Sequence, residues 1–232
     1  MSRALTVLTV TKRNGWFAQN AESLANQSCQ DFRWVIVYEP NVDTVDVDGL
    51  DVKWVQAPPK VRHSNLNASL NEGLKYVDTE YVVFYQDFIS LDRDDLMELF
   101  ISSQSTNGFV TTATINPDGN HDARYTGTCG LREIEAKEWE ANVAIAPMQA
   151  LYDLGGFDEE YDEGWSWDNV NVAERAELLG YKFYINEDVK PILGYHPKEP
   201  DVDKTLELNY MKHEMTMRLI ATGKKPLKLD YL

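Results

Sequence analysis

The segment Tyr81-Val-Val-Phe-Tyr-Gln-Asp-Phe88 gives the clearest indication of the fold class. Five consecutive apolar or aromatic residues between polar ones are typical of a short strand that is buried on both faces. The strand pattern ends in a carboxylate, Asp87, and ligands of open α/β sheets bind beyond the carboxyl ends of the strands. We therefore take Asp87 as a candidate site residue. The alternative is that it only caps the turn that follows.

Strand and helix patterns alternate on the amino-terminal side of this stretch. β-rich runs occur at Leu5–Val10, Arg33–Tyr38 and Val52–Val55; a helical pattern at Trp16–Gln27 follows the first run, and another at Asn65–Val77 follows the third. This alternation predicts one α/β domain with a Rossmann-like, mostly parallel central sheet that helices cover on both faces.

The carboxyl-terminal side is less regular. The stretch Asn116–Glu138 is long, polar and rich in glycine, and loops of this kind are often mobile lids. Helices are expected at Asp168–Leu179 and at Asp201–Ala221. The Gly155-Gly156 pair is expected to break a shorter helix that begins after Pro147.

Composition excludes several classes of function. Acidic residues outnumber basic ones by 38 to 22, which gives a net charge of −16. A surface of that charge repels duplex nucleic acid and anionic lipid. No secretory signal is visible, and no apolar run is long enough to cross a bilayer. With two cysteines in the chain, a disulfide scaffold is not indicated, so we expect a cytoplasmic location.

A second candidate site is the stretch Gly164-Trp-Ser-Trp-Asp-Asn169. Asp168 would begin a helix between the apolar walls of Trp165 and Trp167, a position that suits a general base. The apolar walls would raise the pKa of this carboxylate, and the helix dipole would lower it. The alternative interpretation is a helix cap, and one residue can serve both purposes.

Cationic and imidazole side chains supply the weaker candidates. Arg13 and Arg62 follow predicted strands, where a cation could neutralise a pyrophosphate, although a solvated surface patch is a serious alternative. His196, in Gly194-Tyr-His-Pro197, also follows a strand pattern and could be a metal ligand. A lone histidine is more often structural.

Taken in order, these segments resemble the family 2 glycosyltransferases, which have the nucleotide-diphosphosugar transferase (GT-A) fold. The resemblance spans roughly residues 4 to 197 and depends on the order of several weak motifs: Val7–Asn14, Ser23–Gln27, Asp31-Phe32, Asn71-Glu-Gly73, Gly155–Asp158, Gly164–Asn169 and Gly194–His196. The family places an Asp-x-Asp metal motif where this chain reads Gln86-Asp87-Phe88. The stretch from Gly164 to Asp168 is similar to the galactosyltransferase variant of this region.

The resemblance implies a metal-dependent, inverting hexosyltransferase that moves a sugar from a nucleotide-diphosphosugar, preferably a UDP-sugar, to an acceptor hydroxyl. Asp168 would be the catalytic base, and Asp87 and His196 would hold Mn²⁺ or Mg²⁺. The residues implied in binding the nucleotide sugar are Thr11, Arg13, Glu39, Arg62, Gln86 and Asp87. Those implied in binding the acceptor are Gly156, Trp165, Trp167 and Asn169.

The expected organisation is a glycosyltransferase domain over residues 1–200 and a carboxyl-terminal helix with a basic tail over 201–232. Within the domain, 1–115 would bind the nucleotide sugar, and 116–200 would bind the acceptor and carry out catalysis.

Other classes of function stay open. A sugar nucleotidyltransferase would use a similar sheet and metal, but no glycine-rich phosphate loop opens the first helix, and the same lack disfavours a dinucleotide-dependent oxidoreductase. A non-catalytic nucleotide-sugar or glycan-binding module is a further alternative, because Gln86-Asp87-Phe88 contains a single acid. The acceptor can be a glycan, a protein, a small molecule or a modified nucleic acid.

Overall fold

The computed structural model of the protein describes residues 3–15, 17–62, 64–164, 166–194 and 202–232. The strands are β1 (Leu5–Thr11), β2 (Phe32–Tyr38), β3 (Val52–Gln56), β4 (Tyr81–Tyr85), β5 (Ile89–Ser90), β6 (Phe109–Thr112), β7 (Leu131–Ile134), β8 (Val143–Pro147), β9 (Phe183–Asn186) and β10 (Ile192–Leu193). The α-helices are α1 (Phe17–Ala25), α2 (Leu66–Leu74), α3 (Asp95–Thr106), α4 (Met148–Leu154), α5 (Asp168–Leu178) and α6 (Val202–Ala221).

The main sheet of the described residues has the strand order β3-β2-β1-β4-β8-β6-β9-β7. The first four strands are parallel, β8 is antiparallel to both β4 and β6, β9 is parallel to β6, and β7 is antiparallel at the edge. Six of these eight strands therefore run in one direction, which confirms the mostly parallel α/β sheet. The chain leaves β1 towards β2 on one side and returns to β4 on the other. The carboxyl ends of β1 and β4 thus form a topological switch point, where such sheets bind ligands.

Both faces of the central strands are buried, as the apolar run predicted. In β4, Val82 and Phe84 belong to the core on one face of the sheet, and Val83 and Tyr85 belong to the core on the other. Helix α2 lies very close to the first face, because a Cβ on Gly73 would be 2.4 Å from Leu8 Cδ1. This close contact fixes α2 against the strands that lead to the switch point.

The polar segment 116–138, which the sequence suggested as a lid, contains strand β7 at the edge of the sheet. Arg124 ties the preceding loop to the sheet by donating to Asp122 Oδ2 at 2.8 Å and to the Thr112 carbonyl at 3.2 Å. Residues of β7 are alternately exposed and half-buried. The strand therefore lacks the apolar pattern by which the others are recognised.

The segment after α6 packs back onto the domain. The Leu229 amide donates to the Leu154 carbonyl at 2.8 Å, and the fully buried guanidinium of Arg175 donates to the Leu227 carbonyl at 3.1 Å. A Cβ on Gly155 would lie 1.6 Å from the Leu229 carbonyl oxygen, so the contact requires glycine. Lys225, in the segment expected as a basic tail, lies 2.9 Å from the buried Asp158 carboxylate.

Within the described ranges, none of the helices has the length and apolar character needed to cross a membrane.

Candidate active site

The carboxyl ends of β1 and β4 bring together three of the residues predicted to bind the nucleotide sugar. The Thr11 hydroxyl donates to Asp87 Oδ2 at 2.8 Å, and a guanidinium nitrogen of Arg13 lies 3.7 Å from Asp87 Oδ1. The Arg13 guanidinium is also 5.9 Å from the centre of the Phe88 ring. Asp87 is buried, and a hydroxyl and a cation beside it stabilise its negative charge.

The loop after β2 joins this group through backbone contacts. The Glu39 amide donates to the Thr11 carbonyl at 3.1 Å, which places the half-buried Glu39 beside the end of β1. The Asn14 side chain links the same two loops, because it donates to the Asn41 carbonyl at 3.2 Å and accepts from the Asp43 amide at 2.9 Å. Asn14 was not among the predicted site residues, although it follows Arg13 directly.

Gln86 is oriented towards the first residues of β8 and the loop before it. Its side-chain nitrogen donates to Asn142 Oδ1 at 3.1 Å, and Asn142 in turn donates to Glu140 Oε2 at 3.0 Å. The sequence did not single out Asn142 or Glu140. They reach the site because β8 runs antiparallel to β4, so that its beginning meets the end of β4.

Asp168 is the first residue of α5, and 9% of its surface is exposed. Burial is the main cause that raises the pKa of this carboxyl from 3.8 to about 6, and the charges of Asp162 and Glu140 act in the same direction. Hydrogen bonds from the backbone at Asp168 and Asn169 act in the opposite direction. Desolvation therefore outweighs these backbone hydrogen bonds at the start of α5.

A small cavity of about 40 Å³ lies at the end of β4. Its lining includes Gln86, the neighbour of Asp87, and Asn169, the neighbour of Asp168, together with apolar side chains such as Leu66 and Phe84. A space of this size holds about one water molecule and is too small for a sugar ring.

Two other predicted residues make contacts away from the Asp87 group. Gly156 is buried with a φ of +89°, and a Cβ there would lie 2.5 Å from Asn71 Oδ1. Asn71 also holds the backbone amide of Phe157 at 2.8 Å. Arg62 donates to the Glu159 carbonyl at 2.7 Å, at the start of a short 3₁₀ turn. Gly156 therefore packs against α2, and Arg62 contacts this turn.

The half-buried Trp167 packs against α6. Its ring centre lies 4.9 Å from that of Tyr210 and 5.3 Å from that of His213. The other predicted tryptophan, Trp165, and the predicted metal ligand His196 lie outside the described residues.

The fit of a divalent cation depends on Asp87. In the part of the chain that the structure describes, no three His, Cys, Asp or Glu side chains form a group that could hold a metal ion. Asp87 supplies one hard oxygen ligand, whose orientation the Thr11 hydroxyl fixes. A cation that is bound largely through substrate phosphates needs as few as one or two carboxylates from the protein. The single carboxylate of Asp87 is therefore compatible with a cation that is bound mainly through substrate phosphates.

Comparisons with known proteins support the fold. No protein-family model and no curated protein matches the chain. Its structure is similar to that of S. aureus TarS 1-349 in complex with UDP, with a TM-score of 0.67, 16% identity, and coverage of 94% of this chain and 64% of that one. For TarS 1-349 in complex with UDP-GlcNAc the TM-score is 0.66 and the identity 14%, over 90% of this chain and 66% of that one.

The structure is also similar to GalNAc-T7 with UDP, GalNAc and Mn²⁺, with a TM-score of 0.69, 11% identity, and coverage of 92% of this chain and 48% of that one. The chain spans 39% of a further TarS structure, so it corresponds to part of these longer proteins. At such identities the similarity concerns the fold, which is the nucleotide-diphosphosugar transferase fold that the sequence resemblance implied.

Proposed function

We propose that the protein is an inverting glycosyltransferase that moves a hexose from a UDP-sugar to an acceptor hydroxyl. One observation carries this proposal: the neighbours of Asp87 and Asp168, Gln86 and Asn169, line the same cavity at the end of β4. UDP and UDP-GlcNAc, which the similar TarS structures contain, support a UDP-sugar as the donor.

The donor binds at the switch point between β1 and β4. The Arg13 guanidinium faces the β- and α-phosphates, where its planar charge suits phosphate oxygens. Thr11 and Glu39 border the nucleoside on the side of β2, consistent with the hydrogen bond of 3.1 Å between their backbones. These contacts hold the diphosphate at the carboxyl end of the sheet and leave the sugar towards α5.

Asp168 accepts the proton from the acceptor hydroxyl. As this proton is transferred, the hydroxyl oxygen bonds to the anomeric carbon, and the bond from that carbon to the diphosphate oxygen breaks. UDP leaves with the electron pair, and a single displacement inverts the anomeric configuration. A carboxyl with a pKa of about 6 is ionised at neutral pH and is more basic than an exposed aspartate.

We also propose that the site binds a divalent cation. Asp87, together with His196, would hold Mn²⁺ or Mg²⁺, which when bound neutralises the charge that develops on the departing diphosphate. Mn²⁺ in the similar GalNAc-T7 structure supports this part of the proposal.

The Asp168→Asn variant tests the proposed base. We expect UDP release from UDP-glucose, UDP-galactose or UDP-GlcNAc to fall by about 10³-fold or more, because the amide cannot accept the proton. UDP affinity, measured by calorimetry, should change by less than about twofold, since Asp168 does not contact the nucleotide in this arrangement.

Asp95→Asn is the matched control. Asp95 also lies at a helix start, is buried, and has a pKa raised to about 7 by that burial, but it belongs to α3. Its replacement should leave turnover unchanged. Full turnover by Asp168→Asn would remove Asp168 as the base, and pyrophosphate release from a nucleoside triphosphate would identify a nucleotidyltransferase instead.

A further inference from the structure

The loop before Asp168 contains two residues in an unfavourable backbone conformation. Ser166 and Trp167 have φ values of 63° and 69°, in the left-handed region that residues with side chains rarely adopt. Two such residues in succession persist where the surrounding contacts hold the backbone in place. Because Asp168 follows directly, their conformation sets the direction in which its carboxylate leaves the chain.

A fully buried amide on α6 holds this loop. Asn209 Nδ2 donates to the Ser166 carbonyl at 3.0 Å and to the Tyr161 carbonyl at 3.1 Å, and so joins the two ends of the loop. Gly164 lies against the same amide: a Cβ there would be 2.9 Å from Asn209 Oδ1 and 2.8 Å from the Thr205 carbonyl oxygen. A larger residue at this position would push α6 away from the loop.

Helix α6 also fixes the Trp167 side chain. The rings of Trp167 and His213 are stacked at an interplanar angle of 30°. His213 is buried, and its Nε2 lies 3.1 Å from Glu174 Oε2 on α5. Helix α6 thus contacts the loop backbone, the residue before Asp168, and the helix that Asp168 begins.

We propose that Asn209 is a positioning residue for sugar transfer, which holds the backbone at Tyr161 and at Ser166 so that the Asp168 carboxylate is directed towards the cavity lined by Gln86 and Asn169. This inference rests on the proposed role of Asp168 as the base. Asn209 is buried behind the loop, so it acts through Asp168 rather than by touching the substrates. Its loss should lower the turnover number and leave donor binding intact.

Two variants disturb this contact in different ways. Asn209→Ala removes the donor, and Gly164→Ala retains the amide but separates α6 from the loop. We expect each to lower kcat for UDP release about 10- to 100-fold and to change KM for the UDP-sugar by less than about twofold, because the base is displaced while the donor site is unchanged.

The control is Thr216→Val. Thr216 is also buried in α6, but it bonds to the Tyr161 side chain rather than to the Ser166 carbonyl. It should retain kcat within about twofold. A comparable loss of kcat in the control would overturn the inference, because it would show that any disturbance of α6 has this effect.

The pH profile separates positioning from a loss of folded protein. The titratable groups around Asp168 are Asp162 and Glu140, whose charges raise its pKa, and the pair His213 and Glu174 behind Trp167. When the loop relaxes, water reaches Asp168 and its pKa falls towards 3.8. The acid limb of the kcat profile of both variants should then move to lower pH by about 0.5 unit or more.

If the variants only contained less folded protein, the apparent kcat would fall by the same factor at every pH, and the shape of the profile would not change. An unchanged profile in both variants would therefore overturn the inference. If Asn209→Ala does not fold, as judged by UDP calorimetry, Gly164→Ala decides alone. Full turnover by Asp168→Asn would refute the assignment of Asp168 as the base. If Asp168→Asn loses turnover but Asn209→Ala turns over like the wild type, only the role of Asn209 is refuted.

Discussion

At the scale of single residues, the two candidate carboxylates have opposite surroundings. Asp87 accepts a hydrogen bond of 2.8 Å from Thr11 and lies 3.7 Å from Arg13, contacts that stabilise its charge. Asp168 is buried, and that burial raises its pKa to about 6. Carboxylates whose environments differ in this way can take different roles, here a ligand for cations and an acceptor of protons.

The raised pKa of Asp168 predicts a gain in stability on its replacement. A folded-state pKa of about 6 against an ordinary 3.8 means that the folded chain holds this proton more tightly. Stability is therefore lost as pH rises from about 4 to about 6, and the loss persists at pH 7. Asp168→Asn cannot ionise, so it should raise the free energy of unfolding at pH 7 by about 1–3 kcal/mol and give no gain at pH 4.

Urea unfolding at the two pH values measures this difference. Asp95→Asn should also raise the free energy of unfolding at neutral pH. Its effect should grow up to about pH 7, because burial raises the pKa of Asp95 to about 7. If Asp168→Asn changed the free energy of unfolding equally at pH 4 and pH 7, burial of the ionised Asp168 carboxylate would not be what destabilises the wild type.

The charge of Asp87 predicts that replacing this residue weakens UDP binding only when Mn²⁺ is present. We expect Asp87→Asn to weaken UDP binding in the presence of Mn²⁺ about tenfold or more, because a neutral amide is a poorer ligand for a hard cation. Without Mn²⁺ the affinity should change by less than about twofold. Calorimetry with and without chelator measures both values, and Asp43→Asn in the neighbouring loop is the control. An identical response to Mn²⁺ in Asp87→Asn and wild type would show that Asp87 is not a ligand.

At the scale of elements, the repeating apolar patterns predicted most helices and strands. The helix expected at Asn65–Val77 is observed at Leu66–Leu74, and the strand expected at Tyr81–Tyr85 has those bounds. The direction of β8 was not predictable, because a continuous apolar run has the same composition whether its neighbours are parallel or antiparallel. For this reason the sequence missed Asn142 and Glu140, which the reversal of β8 brings to the site.

The contacts of Trp167 and Gly156 were equally hidden in the sequence. Both were selected as acceptor residues from local motifs, which carry no information about distant partners. The structure packs Trp167 on α6 and Gly156 beneath the Asn71 side chain. Their proposed roles towards the acceptor remain predictions.

The packing of the segment after α6 predicts that the stability of the protein depends strongly on one buried cation, Arg175. Arg175 donates to three backbone carbonyls, those of Leu227, Gly156 and Leu154, and burial lowers its pKa to about 10, so it stays charged at neutral pH. Arg175→Met should lower the free energy of unfolding by about 3 kcal/mol or more, because these buried acceptors lose their donor. Urea unfolding measures the loss.

The control for Arg175 is Arg218→Met, a replacement of an exposed arginine on α6. It should change stability by less than about 0.5 kcal/mol. A loss of similar size in both variants would contradict the role given to Arg175 in holding the carboxyl-terminal segment.

At the scale of the whole molecule, one sheet joins both halves of the candidate site. The parallel strands β1 and β4 present Thr11, Arg13 and Asp87, and β8, inserted between β4 and β6, brings the second half of the chain beside them. The chain has a net charge of −16, and the guanidinium of Arg13 places a positive charge beside Asp87 in this acidic protein.

A crystal structure of the protein with UDP-GlcNAc and Mn²⁺ would show directly whether the sugar lies between Asp87 and Asp168. We predict that the diphosphate lies beside Arg13 and Asp87 and that the anomeric carbon lies on the side of the cavity lined by Gln86 and Asn169 where Asp168 begins α5. An acceptor hydroxyl should fit between the carboxylate and that carbon. A nucleotide bound elsewhere, or an Asp168 carboxylate directed away from the sugar, would contradict the account.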